Sequence, residues 1–165
     1  MTTMPTRMRA LLLLNGLGLL ILAIVIGWIW FIALLGAIQL WPFPIHIPVT
    51  IADDGRAWRM AHMEGITQGL LLLGLSAGGQ FILLSKRQHT WLFWSAIITT
   101  WFFTVPPIFN ALLGTRGLAF GGGPFKGGVG NDVIYLFGWP PIIAVHAMLL
   151  LAALGVLRFI KAERA

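Results

Sequence analysis

Four long runs of apolar residues, at 11–38, 62–85, 91–113 and 133–157, take up most of the chain, separated by stretches where Pro, Gly and charge gather. Each run is continuous rather than alternating, and each exceeds the roughly 20 residues a helix needs to cross a bilayer. A lone strand in hydrocarbon would leave its amides unpaired, so the runs predict helices and not a barrel. The pattern therefore predicts an all-α fold, an integral-membrane four-helix bundle in which residues 1–165 form one transmembrane domain.

The breaks between runs have their own chemistry. Trp41 stands just past the first run, where an indole suits the membrane interface. The connection that follows carries Pro42, Pro44 and Pro48 and the turn signal Asp53-Asp54-Gly55, which predict an irregular loop ordered by its apolar residues, with His46 in the loop or at the interface. Pro106-Pro107 predicts a kink or break late in the third run, and Gly138-Trp139-Pro140-Pro141 a kink in the fourth. Between these lies GTRGLAFGGGPFKGGVGND, a glycine-rich segment whose apolar and charged residues predict a packed loop rather than a solvated spacer.

Composition agrees with a lipid environment: 58% of residues are hydrophobic, 10% are charged, and the mean hydropathy is +0.89. The net charge of +6 is not a nucleic-acid stripe. Arg7 and Arg9 precede the first run, Lys86 and Arg87 lie between the second and third, and Arg158, Lys161 and Arg164 follow the fourth. The positive-inside tendency places all three groups in the cytoplasm, hence both termini, for a multi-pass protein of the cell inner membrane. The first run is too long for a cleaved signal segment and reads as a retained span. With no cysteine, disulfides, iron–sulfur clusters and thiol catalysis are excluded, and histidine is left as the strong nitrogen ligand for a transition metal. No GxSxG elbow, HExxH pair, paired intramembrane aspartates or phosphate-loop pattern is present.

Ionisable groups at membrane depth are costly and usually face a bundle interior or cavity, which singles out His62, Glu64 and Gln68 on the second run and His146 on the fourth. Arg116 and Asp132 adjoin them on the glycine-rich loop. On a helix, Gly69 lies about 20° and Gly65 about 60° from His62, so the histidine stands over a glycine groove. Two flat partners suit that groove. One is another helix against Ala61, Gly65 and Gly69; the other is a planar macrocycle lined by Gly65 and Gly69, with its metal on His62. Glu64 and Gln68, four residues apart, occupy a different face at about 120° or more from His62, which would let an oligomer use both faces. Glu64 also reads as a first-turn carboxylate at the interface. His146 reads as a second axial ligand, a proton carrier or a histidine satisfied by a carbonyl, and His89 as a solvated residue of the inner turn.

Trp58-x-x-Ala61-His62 with Gly69, followed by Trp101 and by Arg116-Gly-Leu-Ala-Phe120-Gly121 with Phe125, resembles the styrene oxide isomerases. The pattern His62-x-Glu64-Gly65 is also similar to the hydroxylaminobenzene mutases. The first resemblance implies a homotrimer of four-helix subunits in membrane lipid, with haem b at subunit interfaces and His62 as its axial ligand. Ferric iron would then act as a Lewis acid toward the oxygen of a small hydrophobic epoxide, giving an aldehyde or ketone by a hydride shift. Gln68, Arg116 and Tyr135 are the candidate catalytic side chains beside it. Gln68 stands where the isomerases carry asparagine, and Pro107 where they carry tyrosine, leaving Tyr135 as the only tyrosine. A mutase acting on aromatic hydroxylamines and a b-type cytochrome using His62 and His146 are the alternatives.

Overall fold

The computed structural model describes residues 1–40, 42–51 and 55–164. Helix α1 spans Thr6–Leu35 and is closed by Gly36, whose φ of +64° is the left-handed conformation that glycine adopts without strain. The chain then forms a short antiparallel hairpin, β1 (Ala37–Leu40) with β2 (Ile45–Pro48), in which Ile38 faces Ile47 and Gln39 faces His46. The prolines suggested irregular backbone, but Pro48 ends its strand, where a missing N–H costs no ladder bond. His46 is exposed on β2. Trp41 and Asp53-Asp54, expected at the interface and in a turn, lie outside the described residues.

Helix α2 spans Gly55–Gly78, so it begins and ends seven residues ahead of the second apolar run. Its first two turns hold Arg56 and Arg59, which are too polar for the hydropathy pattern to include. Three helical stretches are long and apolar enough to cross a membrane, namely Thr6–Leu35, Lys86–Leu113 and Val129–Ala162. The protein is accordingly a membrane protein. Its fourth long helix, α2, lies antiparallel along α1: Ser76 meets Arg9, Gly69 meets Gly16 and Leu20, Gly65 meets Ala23, and His62 meets Gly27. That register carries α2 through the same depth as most of α1.

Helix α3 (Lys86–Leu113) starts with a capping box in which Ser85 Oγ accepts from the Gln88 amide and Gln88 Oε1 accepts from the Ser85 amide. It is not broken at Pro106-Pro107 but continues to Leu113 and is capped by Gly114 at φ +65°. Two carbonyls lose their helical donors there, a cost the packing of α3 against α2, α4 and α5 offsets. The fourth apolar run is divided at Gly138 into α4 (Val129–Phe137) and α5 (Trp139–Ala162). Pro140 and Pro141 thereby fall in the first turn of α5, where a helix has no use for their missing N–H groups.

Both termini come to the turn between α2 and α3. Thr2 pairs with Leu84, the Met4 amide donates to Gly79 O, the Leu83 amide donates to Gly155 O, and Arg158 donates to Gln88 Oε1. A buried cluster around Leu12, Leu19, Leu72, Leu84, Leu92 and Met148 fills this end of the bundle. A second, around Ile26, Trp58, Ala61 and Ala111, fills the other end. His89, expected to be solvated, is fully buried, and its Nε2 donates to Thr2 O at 2.9 Å. The N-terminal segment covers it, a contact between residues 87 positions apart.

Candidate functional site

Beside the second cluster stands a histidine held between two helices. His62 stands on the α1–α2 seam with Nδ1 2.8 Å from Ala23 O. A carbonyl only accepts, so Nδ1 carries the proton, and Nε2 of the neutral ring keeps its lone pair. Nothing among the described residues hydrogen-bonds that nitrogen. Gly27 makes room for the ring, since a Cβ there would come within 2.8 Å of His62 Cε1. The Trp30 indole lies tilted beside it at 6.0 Å between ring centroids, buried Trp58 lies one turn back along α2, and buried Ala61 immediately precedes His62. An imidazole fixed through Nδ1, with Nε2 unprotonated, is the arrangement that histidine ligands of metals show.

The glycine groove proves to be a helix seat. A Cβ on Gly65 would lie 2.8 Å from the Ala23 side chain, and one on Gly69 2.9 Å from Leu20, so α1 fills both positions. Of the two flat partners the spacing allowed, α1 is the one these glycines meet in this chain. Expected as cofactor-lining residues, they touch α1 instead, and by drawing α1 close they bring the Ala23 carbonyl to His62.

Gln68 Nε2 donates to Glu64 Oε2 at 3.0 Å, so the two polar residues expected on one face form a pair. The carboxylate fixes the amide with nitrogen toward Glu64, leaving Gln68 Oε1 buried and without a partner. Both side chains are half-buried.

Arg116 and Tyr135 belong to a separate group at the same end of the bundle, on the side of α3 and α4. The Arg116 guanidinium lies 5.4 Å over the Phe125 ring, and Tyr135 meets Phe120 and Trp139 edge-on at 6.3 and 6.2 Å. The glycine-rich loop that carries Arg116, Phe120 and Phe125 is packed, as its sequence predicted, and two asparagines outside the predicted site residues hold it. Asn110 Nδ2 donates to Arg116 O and its Oδ1 accepts from Thr115 Oγ1. Asn131, 1% exposed, accepts from the Gly117 amide and donates to Ala119 O. Asp132 accepts from the Gly121 amide. An amide inside an apolar run, as in Phe-Asn110-Ala, was the available signal.

Beside this loop an apolar groove of about 470 Å³ opens between α3 and α4, lined by Trp101, Phe102, Pro106, Phe109, Ile134 and Phe137, among others. Pro107 is buried next to it, inside α3. His146 is exposed on α5, with Nδ1 2.7 Å from Ile142 O of its own helix, so it is satisfied by a carbonyl on that side.

A comparison with curated proteins finds no match. The family model of styrene oxide isomerase matches residues 8–157, from the first turn of α1 to the last turns of α5. That range takes in the His62 seat, the asparagine-held loop and the apolar groove, and the chain belongs to the styrene oxide isomerase family.

Proposed function

We propose that the protein is a membrane-bound isomerase that rearranges an aryl or alkyl epoxide to an aldehyde or ketone, with haem b held by His62 at an interface of a homotrimer. Membership of the family supports the reaction class. The single observation that carries the cofactor is the His62 seat: Nδ1–H committed to Ala23 O, Nε2 uncommitted, and the ring wedged against Gly27. Bound there, ferric haem supplies a Lewis acid that stabilises negative charge developing on oxygen as a C–O bond breaks.

The chain's own residues bind, orient and exclude water. The Ala23 carbonyl makes the imidazole a stronger donor to metal and fixes its plane. The apolar groove suits a hydrocarbon-rich substrate arriving from lipid, and it offers nothing to attack the carbon that loses its oxygen. Migration of a hydride to that carbon then yields the carbonyl product, with no net oxidation. Gln68, braced by Glu64, retains one amide N–H for an oxygen, and Arg116 and Tyr135, on the glycine-rich loop and α4, are the other candidate polar groups. Seven of the eleven basic residues gather at the end that holds both termini, which supports a cytoplasmic placement of that end at the inner membrane.

Incubating the purified protein separately with styrene oxide and phenylhydroxylamine tests the reaction. Phenylacetaldehyde from the first, with the second unchanged, is expected. Conversion of the hydroxylamine alone would overturn the epoxide reading.

A further inference from the structure

The outward face of α5 holds a polar group that lipid cannot satisfy. Ile142, Ile143, Leu149 and Leu150 are exposed there, up to 71%, and His146 is exposed among them near the middle of the face. Its Nδ1–H is spent on Ile142 O, so Nε2 presents a bare lone pair in the hydrocarbon layer. Ionisable residues within membrane helices almost always face protein or a water-filled cavity. Among the long helices, α5 packs chiefly along α3; this face turns away from that contact, with Leu149 at the edge of a groove toward Thr67 and Leu70 of α2.

We propose that the face is covered by a second copy of this chain, with His146 Nε2 accepting a hydrogen bond from the Trp94 indole of that copy. Depth supports the pairing. Gly155 stands level with the α2–α3 turn, because its carbonyl takes the Leu83 amide at 3.1 Å. His146 lies nine residues before Gly155 on α5, about 13 Å from that level. Trp94 lies eight residues into α3 from Lys86, about 12 Å from the same turn. A rotation axis normal to the membrane preserves depth, so neighbouring copies can bring these two layers together. Trp94 is 55% exposed, its ring meets Phe93 of its own helix, and its Nε1–H donates to nothing among the described residues. An acceptor without a donor and a donor without an acceptor thus sit at matching depth on different helices, which describes a head-to-tail contact that closes into a ring.

The chain has no cysteine, so introduced thiols report cleanly. Leu150 and Trp91 lie one turn nearer the α2–α3 turn than His146 and Trp94. In native membranes under mild oxidation, L150C co-expressed with W91C is expected to give a crosslinked pair, while neither variant crosslinks alone. Crosslinking of L150C with itself would show α5 against α5 and overturn the proposal, as would absence of any crosslink. His146→Leu and Trp94→Phe, read by subunit dissociation in detergent, each weaken assembly by about three- to tenfold, and the double variant by no more than either single one. Unchanged assembly in both single variants would overturn the hydrogen bond even if the crosslink forms.

Discussion

At the scale of single residues, the environment of His62 depends on what is missing opposite it. Gly27 has no side chain, and the imidazole occupies that space with its Nδ1 on Ala23 O. Gly27→Ala is therefore expected to displace the ring. It should destabilise the protein by about 1–3 kcal/mol, as overpacking does, and lower haem retention. In a His62→Ala background the same substitution should cost less than about 0.5 kcal/mol, because the clashing ring is gone. Melting temperatures of the four proteins check this, and an equal cost in both backgrounds would show that the ring does not occupy that space. The sequence made His62 visible as a polar residue over glycine. It could not show the Ala23 carbonyl, which belongs to another helix 39 positions away.

At the scale of elements, α1 and α2 form the most extensive helix pair, and Gly16, Gly65 and Gly69 lie in it. Gly65→Ala and Gly69→Ala press a methyl onto Ala23 and Leu20 and are expected to cost about 1–3 kcal/mol each. Thermal unfolding in detergent measures it; unchanged melting would mean that the helices do not meet there. The loop after α3 depends on Asn131, whose replacement by Ala leaves a Gly117 amide and an Ala119 carbonyl unpaired, at about 1–3 kcal/mol. Trypsin should then cut at Arg116 and Lys126 faster than in the unaltered protein.

The existence of the helices was legible because continuous apolar runs in lipid have few other solutions. Their ends were not. The polar start of α2 disguised seven residues of helix, whereas Gly138-Trp139-Pro140-Pro141 did mark the division between α4 and α5. The hairpin at 37–48 was obscured by prolines, and the burial of His89 by a partner at the far N-terminus. Periodicity reports which face of a helix is apolar, whereas these features depend on which backbone atoms meet across the fold.

At the scale of the whole molecule, both termini and the α2–α3 turn gather at one end, and the β-hairpin and glycine-rich loop lie at the other. If the basic end is cytoplasmic, a membrane-impermeant maleimide added to intact cells should label Pro124→Cys and spare Ala162→Cys; the reverse pattern would invert the orientation. The polar positions of the molecule fall into separate places: His62 on the α1–α2 seam, Gln68 with Glu64 further along α2, Arg116 and Tyr135 by the apolar groove, and His146 on the outward face of α5. An assembly in which one copy supplies the histidine and another the groove would unite them. In the proposed function, however, haem retention depends on His62 alone. The most direct test of that dependence is the absorption spectrum of the protein and of His62→Ala, each purified in mild detergent after haem is supplied. A Soret band in the unaltered protein and its loss in His62→Ala are expected; the same band in both would contradict the assignment of His62 as the haem ligand.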